Sequence, residues 1–218
     1  MSGSEGSYSV GRVNREGLGK LCYAPGVTLL RRSFLGGIGA LGASLALPSR
    51  ARATTLVAVG IEELVERSVL VVETLPVDHR SEWQAVGDQK RIVTFTRLVH
   101  QARWLGPKDE LESEVLTFGG RVGELAQKVH GEARLPVGQP VLLFLTGPDL
   151  GTRRVVGMSQ GQFSWSGTGA GRRLLKSSGL PELVMPRAGK QAAVQRLHQM
   201  TLAEARALVE RTARQAGR

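Results

Sequence analysis

The chain has 218 residues, a formal charge of +10, four histidines and one cysteine, Cys22. A lone cysteine excludes an internal disulfide framework, and His79, His100, His130 and His198 show neither a His-Glu-x-x-His helix nor paired zinc-ligand spacing. The charge would suggest a nucleic-acid binder were it not terminal: residues 1–53 carry a net +5, residues 54–166 a net −2 and residues 167–218 a net +7.

Residues 1–29 are rich in glycine, lack an apolar period and are expected not to fold. Val27 is a residue that a GTG start codon could underlie, so where translation starts is left open. In Leu30 to Ala53, Arg31 and Arg32 precede Phe34 and Leu35, an apolar run of 14 residues extends from Phe34 to Leu47, and the chain turns polar at Pro48. That order is the tripartite pattern of an export signal. The run is shorter than the roughly 18–20 apolar residues a spanning helix needs, and four glycines dilute it. Arg31-Arg32-Ser33-Phe34-Leu35 resembles the twin-arginine translocation signal; Leu30 and Gly36 depart from that family's pattern at its first and last positions. The resemblance implies the twin-arginine translocase as a transient partner, cleavage at Ala51-Arg52-Ala53, and a periplasmic or extracellular mature protein. An uncleaved signal serving as a membrane anchor is the alternative. Cleavage would remove Cys22, and Thr54-Thr55 where a lipoprotein would have cysteine argues against a lipid anchor.

After a short apolar stretch, Gly60 opens IEELVERS, where Ile61, Leu64 and Val65 recur at helical spacing. Its carboxylates read as a wet helix face, with Glu63 and Arg67 paired at i, i+4. Val69 to Trp83 and Arg91 to Trp104 alternate as β-strands around a Gly87-Asp88 turn, which predicts one long hairpin. On its second arm Ile92, Leu98, His100, Ala102 and Trp104 are expected on one face, and Val93, Phe95 and Val99 on the other. Both faces are partly apolar, so the sheet needs cover on both sides, as in a curled sheet or small barrel packed by a helix. Glu114 to Phe118 predicts a strand; the Gly- and Pro-rich stretch to Pro140 forbids a long helix. Val141 to Leu145 predicts a buried strand, Arg153 to Met158 another, and Gly161 to Trp165 the close of the β region.

Gly119-Gly120, Val122-Gly123, Gln127, Val129, Gly131, Val137-Gly138, Val141 to Leu145, Val155-Val156-Gly157, Gln160-Gly161 and Phe163 resemble an uncharacterised β-rich domain of exported bacterial proteins, following a short helix of the IEELVERS kind. Relatives of that domain sometimes sit beside matrixin-like metallopeptidase domains. The resemblance implies a small barrel and carries no active site with it.

Gly167 to Gly171 reads as a flexible break, and Leu174 to Pro186 as loops and short turns over the barrel. Thr201 to Glu204 forms a capping box before an apolar stripe of Leu202, Ala205, Leu208, Val209, Ala213 and Ala216. That final helix is expected to dock on the barrel or on Gln191 to His198. The expected fold is therefore mainly β within an α+β class: a curled sheet or OB-like barrel over residues 54–166, with a short N-terminal helix and a basic, helical extension over residues 167–218.

Gly157-Met158-Ser159-Gln160-Gly161 satisfies the G-x-S-x-G pattern of a hydrolase elbow, but strand-like residues follow where a helix is required, and only Glu182 and His198 could complete a triad. Gly167 to Gly171 lacks the strand-loop-helix context of a phosphate loop. No cofactor or metal is expected. The leading expectation is a non-catalytic binding or scaffolding protein of the envelope, its candidate surface the loops around Gly119 to Gly138. Alternatives are a hydrolase using Ser159, and attachment to anionic lipid or polysaccharide through Arg172, Arg173, Lys176, Arg187, Lys190 and Arg196. An envelope protein is a further expected partner; nucleic acid is not.

Overall fold

The computed structural model describes residues 56–180, 183–184 and 191–218. The export signal with Arg31, Arg32, Phe34 and Leu35, the cleavage residues Ala51 and Ala53, and Glu182, Arg187 and Lys190 lie outside the described residues.

The fold is mainly β, with a large antiparallel sheet and few helices. Its elements in chain order are β1 (Leu56–Val57), α1 (Ile61–Glu66), β2 (Leu70–Val86), β3 (Gln89–Leu105), β4 (Glu112–Phe118), β5 (Gly120–Val122), β6 (Leu125–Gln127), β7 (Val141–Leu145), β8 (Gln162–Ser166), β9 (Arg173–Lys176), β10 (Leu183–Val184), α2 (Ala193–Leu197) and α3 (Leu202–Gln215). The main sheet has the order β4-β3-β2-β7-β8-β9, antiparallel throughout. β5 and β6 form a small hairpin, and β1 pairs in parallel with β10.

β2 and β3 form the expected long hairpin, 17 residues in each arm around Gly87-Asp88. Three register shifts interrupt the ladder and leave Val77, Gln101 and Trp104 unpaired between successive pairs. Each extra residue bends its strand and raises the local twist, and the shift at Val77 directly follows Pro76, a residue that strands tolerate at bulges. The bulges also correct the expected faces. Leu98 and Trp104 do not share one: Leu98 packs with Val72, Val115 and Leu143, whereas Trp104 packs with Val71, Phe144 and the helices.

The strands do not close into a continuous barrel. β7 divides its free edge, pairing Leu142 and Leu143 with β8 and bridging Leu145 to Val155. The segment around Arg153 then reaches β4, where the Arg153 amide donates to the Glu114 carbonyl at 2.8 Å and the Leu116 amide to the Arg153 carbonyl at 2.9 Å. Single bridges, rather than the strand expected over Arg153 to Met158, thus span the gap between β7 and β4. Arg153 is nearly buried, and its guanidinium forks onto Glu110 with Nε to Oε1 at 2.9 Å and Nη2 to Oε2 at 2.6 Å. Its Nη1 donates to the Thr146 carbonyl at 2.7 Å.

β7 is buried on both faces, as its unbroken apolar run requires. Val141, Leu143 and Leu145 point into the curl with Leu70, Val72, Leu98, Val115 and Val155. Leu142 and Phe144 point outward beneath a helical layer of Leu64 and Val65 from α1, Val194 and Leu197 from α2, and Leu208 and Val209 from α3. Phe144 meets Phe163 edge-on at 6.0 Å.

The C-terminal region contributes more to this layer than its composition suggested. Leu174 and Leu175 lie in β9, an edge strand, so the β region continues past Trp165. The expected break holds a 3-10 turn over Gly169–Gly171. α3 begins with the expected capping box: the Glu204 amide donates to Thr201 Oγ1 at 3.3 Å and the Thr201 amide to Glu204 Oε2 at 2.9 Å. At the other end, Arg218 donates to the Val65 carbonyl at 2.9 Å and so places a cation at the C-terminus of α1. None of the described helices is long and apolar enough to cross a membrane.

Candidate binding groove

The inner face of the curl changes character along β3. Side chains two apart share a face, and from Leu98, sealed in the core, the series runs through Thr96 to Thr94. Opposite Thr94 lie Ser81 on β2 and Thr117 on β4, and His79 lies opposite Thr96. Ser81, Thr94 and Thr117 therefore form a row of hydroxyls across three strands. Ser81 Oγ and Thr94 Oγ1 are 2.8 Å apart, and Thr94 donates to the Gly119 carbonyl at 2.7 Å. The apolar interior thus opens into a polar groove with a cavity of about 840 Å³, within the size range of ligand sites.

Gly119 and Gly120 turn the chain from β4 across the end of this row, with φ of +98° and +134°. A Cβ on Gly120 would stand 2.3 Å from Thr94 Oγ1 and 2.5 Å from Ser81 Oγ, so only glycine permits this close approach. The second wall is the stretch from Gln127, the last residue of β6, to Gln139, which from Lys128 onward has no regular structure of its own. Side chains hold it in place. Gln127 Oε1 accepts the Ile92 amide at 2.8 Å. Gln162, buried in β8, accepts the Arg134 amide at 3.0 Å and donates to the Arg134 carbonyl, as a paired strand would. The Gly138 amide donates to the Pro76 carbonyl at 2.8 Å. Ser164, Ser177 and Ser178 complete the far side. Because its irregular wall is tied at several points, the groove is preformed.

Glu132 is the one carboxylate in the lining among the described residues. Its oxygens accept the Phe118 amide at 3.3 Å and the Ala133 amide at 3.0 Å, and burial pushes its carboxyl up from the usual range against those hydrogen bonds. At the mouth stand Arg121, Lys128 and Arg134, all exposed. Among the described residues none of the three forms an ion pair; Arg121 Nε donates only to the Gly123 carbonyl, at 3.1 Å.

The loops around Gly119 to Gly138, expected as the binding surface, therefore form the wall of the cavity. The hydroxyl row across β2, β3 and β4 was not anticipated. Its trace in the sequence is Thr94-Phe95-Thr96, where threonines take the face that Ile92 and Leu98 hold on either side.

The other candidate residues lie elsewhere. Ser159 is fully buried in a 3-10 turn over Met158–Gly161, and its Oγ makes no hydrogen bond with a described residue. Its amide donates to the Gly131 carbonyl at 2.9 Å. A nucleophile elbow needs the serine exposed and a helix behind it, and neither holds here. His198 Nδ1 accepts the Lys176 amide at 3.4 Å, beside β9. Of the basic residues in the C-terminal region, Arg172 lies 3.7 Å from Glu73 and over the Trp165 ring, Arg173 donates to the Gln199 carbonyl at 2.8 Å, and Arg196 meets Glu62 at 3.3 Å. Three of the six thus have structural partners. No cluster of three or more His, Asp or Glu suited to a metal ion occurs among the described residues.

No protein-family model matches the chain, and a search of curated proteins finds no match either.

Proposed function

We propose that this protein is exported through the twin-arginine route and acts in the periplasm or beyond as a non-catalytic binding module, with the groove between the hydroxyl row and the Gln127 to Gln139 wall as its ligand site. The observation that carries the binding role is the cavity of about 840 Å³ whose irregular wall is pinned by Gln127, Gln162 and Glu132. Such ties cost conformational freedom and hold polar groups in fixed directions, which is what a recognition site needs. Export rests on the Arg31-Arg32-Ser33-Phe34-Leu35 pattern and the apolar run behind it.

Two measurements test the two halves of this reading. With Arg31→Lys and Arg32→Lys together, the protein should remain in the cytoplasm; undiminished export would refute the twin-arginine route. For the groove, backbone NMR of the domain titrated with a panel of soluble envelope glycans and small polar ligands should shift the amides of Thr94, Thr117, Gly119, Gly120 and Arg134 as a group. A panel-wide absence of shifts there would refute the binding role.

A further inference from the structure

Resting on the groove as the binding site, we infer that its ligand is an acidic oligosaccharide, a short polyhydroxylated chain bearing carboxylates. Three features of the lining point to this class. Ser81, Thr94 and Thr117 run as a row across the floor, with Ser164 and Ser178 on the far side. A hydroxyl has one donor and two acceptor sites; with the Ser81, Thr94 and Thr117 protons given to Thr94 Oγ1, the Gly119 carbonyl and the Thr94 carbonyl, the row offers acceptor sites that match the hydroxyl donors of such a ligand.

The charge of the mouth adds the second feature. Arg121, Lys128 and Arg134 face the groove without a carboxylate partner among the described residues, while Glu132 is engaged with the Phe118 and Ala133 amides. Uncompensated cations around a low-lying polar cavity attract anions over a distance comparable to the Debye length. Arginine in particular suits a carboxylate, which it can meet with two parallel hydrogen bonds.

The third feature separates saccharide from nucleic acid. A single-stranded nucleic acid is held by bases stacked on aromatic faces. Among the described residues of the lining the rings are Phe118, over which the Arg154 guanidinium already lies 4.6 Å from the centroid, and the imidazole of His79. One imidazole does not make a row of stacking platforms for successive bases, whereas hydroxyl and cationic groups are several among the described lining residues.

The test is calorimetric titration of the mature protein with a uronate oligomer of three to five sugars, beside its methyl-esterified counterpart and glycerol phosphate oligomers. The uronate oligomer should bind, and the ester, with the same skeleton but no charge, should bind about tenfold more weakly or worse. Replacing the three exposed cations together, Arg121→Gln, Lys128→Gln and Arg134→Gln, should weaken uronate binding at least tenfold, and raising the salt from 50 to 500 mM should do the same to the unaltered protein. A thermal melt of that variant checks that it folds. Equal binding of the ester, preference for the phosphate oligomer, no binding of the uronate, or an unaffected variant would each overturn the acidic-oligosaccharide assignment. If a neutral glycan instead shifted the groove amides, the binding module would stand and only its ligand class would fall; if nothing shifted them, both would fall.

Discussion

The fork between Arg153 and Glu110 gives the sharpest test of how the curled sheet is held together. Arg153 is 5% exposed and the Glu110 side chain 23%, and three guanidinium hydrogen bonds connect the loop before β4, the bridge segment and the end of β7. Arg153→Met keeps the aliphatic stem but removes the charge, leaving a largely buried carboxylate and the Thr146 carbonyl without their donor. Breaking a buried pair from one side costs about 3–5 kcal/mol. Water still reaches Glu110, so the lower end, about 3 kcal/mol, is expected. For a domain of this size that corresponds to a melting temperature lower by about 6–12 °C. The double variant Arg153→Met with Glu110→Leu removes both charges, so its loss should fall short of the sum of the single losses by about 1.5–3 kcal/mol. Urea unfolding of the four proteins, with unchanged m-values, measures the cycle. A single-variant loss under about 1 kcal/mol, or losses additive within about 0.5 kcal/mol, would show that the fork does not hold the bridge segment onto β4.

Phe144 tests the outer layer: Phe144→Ala should cost about 3–5 kcal/mol, part of it the edge contact with Phe163, and a loss under about 1.5 kcal/mol by urea unfolding would contradict the sealed contact between sheet and helices. His100 tests the inner one. Thr74 Oγ1 donates to the Val99 carbonyl at 2.9 Å and lies 3.3 Å from His100 Nδ1, which assigns the proton to Nδ1 and leaves the buried Nε2 without a partner. Burial, helped by Arg103 and Arg153 and opposed by Glu110 and Glu112, lowers the His100 pKa. The folded state then binds fewer protons than the unfolded one, so stability is full above about pH 6.5 and declines as the pH falls from there through the lowered value. In His100→Gln that decline should flatten in chemical unfolding between pH 7.5 and 5; an unchanged slope would show that His100 is not its source.

The sequence by itself determined those features that depend on short-range periodicity. Alternation over Val69 to Trp104 marked the hairpin, the five apolar residues Val141 to Leu145 marked a buried strand, and Thr201 with Glu204 marked the start of α3. Each is a local pattern with a local physical cause: the pleat, the absence of any polar face, and the unpaired amides of a helix start. The glycines between Gly119 and Gly138 likewise indicated an irregular loop surface.

What only the tertiary structure decided came from contacts between residues far apart in the chain. Three bulges, invisible in a pattern of alternation, interrupt the hairpin, and those at Gln101 and Trp104 turned Trp104 away from the face of Leu98. Arg153, an ordinary charged residue in the sequence, found Glu110 43 positions away and became part of the core. Gln162 acquired its role only by lying beside Arg134, where its amide replaces a missing strand. The groove arose in the same way: Ser81, Thr94 and Thr117 are unremarkable apart, and cross-strand register alone sets them in one row. Register is a property of pairing rather than of either strand, so the site could be read only once the strands were side by side.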